Sequence, residues 1–244
     1  MSEKVALITG GARGIGRAVA LDLAGRGWSV AICYRTSAKE AAEVVGAAKR
    51  HHVKALALQS DVSNAKSAVE LVQNVEGELK RIDALINCAG PYHRTSLLHE
   101  SAEGWHAMFD NNLHPVFYLS QAVIAGMKER QWGRIICFSM ANVEQLVAQP
   151  QLTAHYIAKV GLVVLMRSFA RLVAPYGITA NCIAPGFIDT GSAPKAELEA
   201  AVKRIPAGYI GGVEDTTSVV RFLLSDEARY INGANIQISG AWAV

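Results

Sequence analysis

This sequence of 244 residues lacks long hydrophobic runs, strong charge and long basic tracts. No stretch reaches about 18 uninterrupted apolar residues, and no signal-peptide pattern precedes the first strand pattern, so we expect no membrane span. The net charge is only +3. This small positive excess argues against a nucleic-acid partner and suits a small anionic ligand.

Closely spaced cysteines are also missing. Cys33, Cys88, Cys137 and Cys182 lie far apart, in or just after apolar strand-like runs, and none forms a C-x-x-C motif. This pattern predicts small, buried thiols in a reducing, cytoplasmic compartment rather than a disulfide framework. No metal site is predicted.

Hydrophobic residues make up 51% of the chain and charged residues 18%, which is enough apolar material for a large core. β-type runs near 4–8, 28–33, 53–59, 82–87, 134–139, 178–183 and 234–239 alternate with helical runs near 15–26, 37–51, 64–81, 101–130, 154–175 and 214–225. The alternation predicts one α/β domain over 1–244, a three-layer doubly wound parallel sheet of about seven strands with helices on both faces. The irregular segment 187–212 is interpreted as a substrate-covering segment, with a plain surface connection as the alternative.

A glycine-rich turn follows the first strand. Gly10, Gly14 and Gly16 give the spacing G-x-x-x-G-x-G between an apolar run and an amphipathic one. Glycines let the backbone turn tightly and approach a pyrophosphate, whose charge is then stabilised at the helix N-terminus. The position of this turn predicts a dinucleotide site.

The end of the second strand carries no acidic residue. Arg35 and Ser37 stand there instead, and Arg13 lies within the glycine turn. An acidic residue at this place binds the 2′-hydroxyl of NAD, whereas basic residues accommodate the 2′-phosphate of NADP. The sequence therefore favours NADP(H), with NAD(H) as the alternative if both arginines are merely solvated. Ser37 is a candidate either to bond the phosphate through its hydroxyl or to cap the next helix, and Asp61 after the third strand is a candidate cap alongside its cofactor role.

The fingerprint T-G-x-x-x-G-x-G resembles that of the short-chain dehydrogenase/reductase family. Further matches follow in the expected order: Asp61-Val62, Asn87-Cys88-Ala89-Gly90, Asn112, Lys159 and the run 185–190. The resemblance covers essentially the whole chain and is nearest to 3-oxoacyl carrier-protein reductases. It implies a Rossmann fold, a small-molecule substrate and a homotetramer, for which the apolar C-terminal run 241–244 is a further argument.

The resemblance, together with the charge argument above, assigns a set of residues to the cofactor: Gly10, Arg13, Gly14, Ile15, Gly16, Arg35, Ser37, Asp61, Val62, Asn87, Ala89, Gly90, Lys159, Pro185, Gly186, Ile188 and Thr190. It also implies that a buried Asn112, in the middle of a helix, holds a water that passes protons to Lys159.

The catalytic Ser and Tyr of the family are not matched. Met140 occupies the Ser position, with Ser139 one residue early, and Asn142 is a candidate replacement donor. His155 stands four residues before Lys159, where the family has Tyr, and Tyr156 stands three before. At about 100° per residue both flank the Lys face of the helix. We expect His155 to supply the proton, with Tyr156 as the alternative and a pH dependence near pH 6–7.

These residues support two hypotheses of function. The first is an NADP(H)-dependent oxidoreductase that transfers a hydride to or from a carbonyl, alcohol or activated double bond of a small apolar substrate. The second is a nucleotide-binding pseudoenzyme that acts as a sensor or partner subunit. A non-redox lyase or dehalogenase is disfavoured, because such relatives lose the glycine turn. Residues expected to line the substrate pocket are Tyr92, His93, Leu146, Phe187, Tyr209 and Trp242.

Overall fold

A parallel sheet forms the centre of the molecule. The structure is a computed structural model and describes residues 4–191 and 194–243. The strands are β1 (Val5–Thr9), β2 (Ser29–Tyr34), β3 (Ala55–Gln59), β4 (Ala84–Asn87), β5 (Gly133–Phe138), β6 (Ile178–Pro185), β7 (Ile188–Asp189), β8 (Gly211–Gly212) and β9 (Asn235–Ile238). Seven of them form one sheet in the order β3-β2-β1-β4-β5-β6-β9, with every neighbouring pair parallel. The order reverses beside β1, as in a doubly wound fold.

Helices cover both faces of this sheet. They are α1 (Gly14–Ala24), α2 (Ala38–Lys49), α3 (Ala65–Leu79), α4 (Ala102–Asn112), α5 (His114–Glu129), α6 (Thr153–Val173), α7 (Lys195–Val202) and α8 (Val213–Leu224). Leu7 of β1 belongs to the core under α3, α5 and α6, while its neighbour Ile8 belongs to the core under α1, α2 and α8. The predicted three-layer fold with about seven strands is confirmed. In the described part of the chain, no helix has the length and hydropathy to cross a membrane.

The helix predicted over 101–130 is in fact two helices. The first ends at Asn112 and the second starts at His114, with Pro115 in its first turn. Proline has no N–H to donate to the preceding turn, so it is accommodated at a helix start rather than in the interior. Asn112 therefore ends α4 and is not the mid-helix residue that the sequence predicted.

The segment 187–212 is more regular than expected. It contains α7 and the two short strands β7 and β8, which pair in parallel. Ser192 and Ala193 lie outside the described residues, as do residues 1–3 and Val244 of the C-terminal run.

Two of the cysteines come together although the sequence separates them by 45 residues. Cys137 and Cys182 are register partners on β5 and β6, their sulfur atoms lie 3.3 Å apart, and both are free and buried. Cys33 is also buried, whereas Cys88 is partly exposed. The prediction of buried thiols therefore holds for three of the four.

Candidate active site

The glycine turn joins β1 to α1 and forms the floor of the site. Gly10 has φ +62° and Gly14 has φ +53°, a region that side chains disfavour. A Cβ on Gly16 would lie 2.4 Å from the carbonyl oxygen of Gly10, so the turn folds back on the helix only because that carbon is absent.

A pocket of about 270 Å³ opens beside this turn, at the carboxyl ends of β1, β2 and β3. Its lining includes these predicted cofactor residues: Gly10, Arg13, Arg35, Ser37, Asp61, Val62 and Ala89. A wider groove of about 760 Å³ shares Gly10 and Arg13 with it. That groove adds Gly14, Ile15, Gly16, Gly90 and Thr190. Together the two pockets give the elongated cleft that a dinucleotide needs at the switch point of such a sheet.

Two arginines stand at the rim of the first pocket. Arg13 forms an ion pair of 2.9 Å with Glu40, and Arg35 donates to the side-chain oxygen of Asn111 at 2.9 Å. Both arginines are exposed and line the same pocket. Asn111, the residue before Asn112, is thus the partner of Arg35.

The predicted helix caps are wrong. Asp61 accepts hydrogen bonds from the backbone and hydroxyl of Ser63 in a tight turn, and Asn64 caps α3 instead. These bonds to Ser63 are the main reason that the pKa of Asp61 is lowered, with the charge of Arg35 adding to the effect. Ser37 makes no side-chain cap bond to α2. Both residues instead lie in the pocket lining.

The end of β4 ties the cofactor cleft to the neighbouring strands. Asn87 donates to the carbonyl of Ile136 on β5 at 3.5 Å, and its side-chain oxygen is buried without a partner. Ala89 donates its backbone N–H to the hydroxyl of Thr9 on β1 at 3.1 Å.

Gly90 brings two predicted catalytic residues to one place. A Cβ on Gly90 would lie 2.6 Å from the side-chain oxygen of Asn112 and 3.2 Å from Nζ of Lys159. The Asn112 amide donates to the carbonyls of Pro91 and Met108, which leaves its buried Oδ1 without a partner. Buried polar atoms are usually hydrogen-bonded, so this unpartnered oxygen at the base of the cleft is a candidate for a functional role.

Lys159 is buried, and its Nζ donates to the carbonyl of Phe138 at 2.8 Å. Burial lowers the pKa of this amine from 10.5 to about 8. The side chain is thus cationic at neutral pH but close to the range in which it releases a proton.

His155 lies on the same helix, with only 8% of its surface exposed. Its ring centroid is 5.8 Å from that of Tyr92, and its Nδ1 is buried without a partner. Burial, followed by the charges of Lys159 and His93, lowers the pKa of His155 from 6.5 to about 4. The expected titration near pH 6–7 is therefore wrong for the free protein, in which the imidazole is neutral at neutral pH.

Tyr156 serves a different part of the structure. Its hydroxyl donates to the carbonyl of Asn142 at 2.9 Å and accepts from the N–H of Val147 at 3.2 Å. It therefore braces the segment 142–147, while His155 retains a ring nitrogen without a partner.

The residues around the unmatched Ser position point in different directions. Ser139 donates its hydroxyl to the side-chain oxygen of Asn235 on β9 at 2.6 Å and lies 3.3 Å from the carbonyl oxygen of Ile183, whereas Met140 packs against the core under α6. Asn142 has φ +66° and a buried Oδ1 without a partner. As candidate catalytic donors, Ser139 and Asn142 stay predictions, and Ser139 has the weaker position because its hydroxyl is engaged with β9.

The run 185–190 closes the cleft on the far side. Pro185 accepts from the N–H of Ala141 at 3.1 Å, and Gly186 packs so tightly on β9 that a Cβ would lie 2.9 Å from Cα of Ser239. Thr190 reaches the glycine turn, where a Cβ on Gly14 would lie 3.6 Å from its methyl group.

The predicted substrate-pocket residues fall into separate groups. Tyr92 and His93 lie near His155. Phe187 contacts Trp242 with ring centroids 4.7 Å apart, and a pocket of about 310 Å³ is lined by Phe187, Ile188 and Tyr209. Leu146 is exposed. Within residues 4–191 and 194–243, no three His, Cys, Asp or Glu side chains are placed to hold a metal ion.

The chain is similar to known proteins over almost its whole length. Residues 10–241 match the family model described as enoyl-(acyl carrier protein) reductase. The chain is 37% identical to the 3-oxoacyl-(acyl-carrier-protein) reductase FabG of Pseudomonas aeruginosa, over 98% of this chain and 97% of the relative. It is 35% identical to FabG of Staphylococcus aureus, over 97% of each chain.

A solved structure shows the same fold. The crystal structure of a protein from Sinorhizobium meliloti assigned as a short-chain alcohol dehydrogenase superposes with a TM-score of 0.92 and 28% identity, over 99% of this chain and 97% of that one. The chain therefore belongs to the short-chain dehydrogenase/reductase family of oxidoreductases.

Proposed function

We propose that this protein is an NADPH-dependent reductase of carbonyl groups on small apolar substrates, in which His155 replaces the usual hydroxyl pair as proton donor. The observation that carries the proposal is the position of His155 on α6, one helical turn before Lys159, whose Nζ lies with Asn112 beside Gly90 at the base of the cleft. Activated double bonds and the reverse oxidation of alcohols are the related reactions that the same site would support.

The preference for NADPH is supported by charge. Arg13 and Arg35 line the pocket at the end of β2, and no acidic side chain stands between Tyr34 and Ser37 to bind a ribose 2′-hydroxyl. Glu40 and Asn111 hold the two guanidiniums at the rim, and a 2′-phosphate would replace these weak exposed contacts with charge-assisted bonds. NAD(H) is the weaker ligand in this proposal.

The chemistry follows from the neutral state of His155. When bound, NADPH supplies the hydride that the carbonyl carbon receives. A neutral imidazole donates its N–H to the carbonyl oxygen, polarising it and then protonating it as negative charge develops. Lys159, cationic at neutral pH, adds favourable charge at the base of the cleft. Asn112 is proposed to hold a water there through its unpartnered oxygen.

The substrate is proposed to be apolar and to lie between His155 and the segment 187–212. Phe187, Tyr209 and Trp242 offer aromatic surface near one end of the cleft, and we propose that the segment containing α7 covers the bound substrate. The relatives named as 3-oxoacyl-(acyl-carrier-protein) reductases make 3-oxoacyl thioesters the first compounds to test.

We also propose a homotetramer in the cytoplasm. Large apolar side chains are exposed along α5 and α6: Phe117, Ile157, Val164 and Leu172. Such a row on two adjacent helices is typical of a surface covered by another subunit. The four free thiols suit a reducing compartment.

A pseudoenzyme is the competing function, and Met140 favours it. A thioether cannot donate a hydrogen bond to an oxyanion, and loss of one such donor typically costs on the order of 10²–10³ in rate. This protein would then bind NADPH as a sensor or as the partner subunit of an active relative.

The test is loss of nicotinamide absorbance when the purified protein is mixed with NADPH and a panel of 3-oxoacyl thioesters, ketones, quinones and enones. Turnover with at least one compound, abolished in His155→Phe, is expected. Tight NADPH binding measured by fluorescence without turnover of any compound would establish the pseudoenzyme instead.

A further inference from the structure

An arginine outside the expected site residues lies against two aromatic rings. The guanidinium carbon of Arg204 is 5.4 Å from the ring centroid of Phe187 and 5.7 Å from that of Trp242. The two rings contact each other, with centroids 4.7 Å apart and planes tilted by 55°. Aromatic faces attract the cation and restrict the conformations of its side chain. The guanidinium is therefore held in the corner that the two rings form.

The backbone around Arg204 is fixed as well. Arg204 follows α7, and its N–H donates to the carbonyl of Ala201 at 2.9 Å. The next residue, Ile205, is buried, and a Cβ on Gly240 would lie 2.8 Å from its Cγ2. Ala207 donates its N–H to the carbonyl of Gly240 at 3.0 Å. The segment that carries Arg204 is thus packed on the turn that follows β9.

The two aromatic residues are anchored in the same manner. The carbonyl of Phe187 accepts the N–H of Gly211 at 3.2 Å. Trp242 donates its N–H to the carbonyl of Ser239 at 3.0 Å, and its own carbonyl accepts from the side-chain amide of Gln237 at 3.0 Å. An arginine with such neighbours loses little conformational freedom when it binds a ligand, which favours affinity.

The N–H donors of Arg204 are not used within the protein. The residue is exposed, and over residues 4–191 and 194–243 no acceptor is paired with its guanidinium. Asp215, which lines the adjacent cavity of about 310 Å³, instead accepts the N–H of Gly212 at the start of α8. A guanidinium presents its donors in a planar fork that matches a carboxylate or a phosphate. This fixed, unpaired arginine has the features of an oxyanion site.

The oxyanion site lies at the end of the sheet where a substrate is expected. Phe187 lies two residues beyond Pro185, the last residue of β6, and the carbonyl of Pro185 accepts the N–H of Ala141 beyond β5. Ala243, next to the tryptophan, accepts at its carbonyl from the side chain of Gln145 at 2.8 Å. Ligands of parallel α/β sheets bind outside the carboxyl ends of the strands.

We propose that Arg204, backed by Phe187 and Trp242, binds an anionic group of the substrate, a carboxylate or a phosphate, at the end remote from the reacting carbonyl. The inference rests on the proposed function and deepens it: the substrate has an apolar body and one charged end. Its carbonyl lies at His155, its apolar body contacts the aromatic rings, and its anion pairs with Arg204 through charge-assisted hydrogen bonds.

The first experiment measures binding and does not depend on turnover. Calorimetry is carried out on protein saturated with NADP⁺, so that the probes cannot occupy the cofactor cleft. The probes are methyl ketones that end in a carboxylate, the methyl esters of these compounds, and matching ketones that end in a phosphate monoester. At least one anionic probe should bind about tenfold or more tightly than the ester, and the tighter of the two identifies the anion. Equal affinities of all three probes would overturn the proposal.

Variants then assign the preference to one side chain. Arg204→Gln should abolish the preference for the anion and leave the affinity for the ester unchanged. Lys203→Gln removes the same charge from the preceding exposed residue and should preserve the preference. Arg204→Lys keeps the charge but lacks the planar fork, so an intermediate affinity is expected. An equal loss in Lys203→Gln and Arg204→Gln would show that general electrostatic attraction binds the anion, against the proposal.

The second experiment measures kinetics with NADPH and the same ketones. Arg204→Gln should raise KM for the anionic ketone by about tenfold or more, while its kcat and the kinetics of the ester stay close to those of the wild type. A lower kcat with an unchanged KM would refute the assignment of Arg204 to substrate binding. A protein that binds the anion through Arg204 but reduces none of the ketones refutes the proposed function, and the oxyanion site stands.

Discussion

The hydroxyl of Tyr156 donates to the carbonyl oxygen of Asn142 at 2.9 Å, and this bond ties Tyr156 to the segment 142–147. The hydroxyl oxygen of Tyr156 also accepts a hydrogen bond from the N–H of Val147. The hydroxyl therefore both donates and accepts within the protein. His155, one residue earlier, has a buried ring nitrogen with no partner.

Substitutions at these two positions should therefore have opposite consequences. His155→Phe should lower kcat by at least about 100-fold, since a general acid typically contributes 10²–10⁴. Tyr156→Phe should leave the chemistry little changed but lower the free energy of unfolding by about 1–2 kcal/mol, because a carbonyl and an N–H lose their partner. Absorbance assays and denaturant titrations measure the two effects. If Tyr156→Phe is the inactive variant and His155→Phe is active, Tyr156 is the donor.

Reversal of the charge at the pocket rim should change the choice of cofactor. Arg35→Asp is expected to weaken NADPH binding by about 10–100-fold, the loss of one charge-assisted contact, while NADH binding holds or improves. Fluorescence titration measures both affinities. Arg50→Asp makes the same charge change at the other end of α2 and serves as the control. Equal effects of the two variants would show that Arg35 does not contact the 2′-phosphate.

The loss of reductase activity at alkaline pH should come from deprotonation of Lys159. Because burial lowers the pKa of this amine to about 8, its positive charge is present below that pH and is lost above it. We expect kcat/KM for reduction to fall as the pH rises through about 8. Lys159→Arg keeps its charge up to about pH 12 and should remove this decline, although the rate itself will be lower. If kcat/KM of Lys159→Arg still falls as the pH rises through about 8, a group other than Lys159 causes the decline.

The stability of the protein should decline in acid because of His155. Its folded pKa of about 4 lies below its ordinary value of 6.5, so the unfolded chain takes up the proton first as the pH falls. Relative to His155→Gln, the wild-type protein should lose up to about 3 kcal/mol of unfolding free energy between pH 6.5 and pH 4. Urea titrations across this range provide the measurement, with His99→Gln as the control. A pH-independent difference would mean that His155 is not buried in solution.

The exposed apolar row on α5 and α6 should be required for assembly. Val164 is 61% exposed, and Val164→Glu would place a charge within a subunit interface. We expect a lower mass by light scattering at micromolar concentration. Leu98→Glu, at a 90% exposed position outside these helices, should not change the mass. A monomeric wild-type protein would contradict the tetramer directly.

The fold was predictable from the sequence because its signals are local and strong. Buried parallel strands read as apolar runs, and the glycine turn marks the first strand-to-helix junction. The break at Leu113 was missed, since the apolar pattern continues through it and only Pro115 marks a new helix start. The contact between Cys137 and Cys182 depends on strand register, which the sequence does not state.

The candidate site was predictable only in part, for a related reason. Helical geometry placed His155 and Tyr156 on both sides of Lys159, but it did not show that the Tyr156 hydroxyl binds the segment 142–147. The low pKa of His155 depends on burial, on the charge of Lys159 and on His93, which lies more than sixty residues away in sequence. Asn111 carries no motif that would have identified it as a partner of Arg35.

The close approach of Gly16 to Gly10 means that the glycine motif alone is weak evidence of nucleotide binding. Since any side chain at position 16 would strike the carbonyl of Gly10, selection for a folded protein alone preserves this glycine, whether or not a dinucleotide is ever bound. Gly14 is constrained for a different reason: a Cβ there would meet only the methyl end of Thr190 at ordinary contact distance, but its φ of +53° disfavours any side chain. In a lineage that had abandoned its cofactor, Gly16 would persist while Arg13 and Arg35 drifted, so the arginines are the better record of continued nucleotide use.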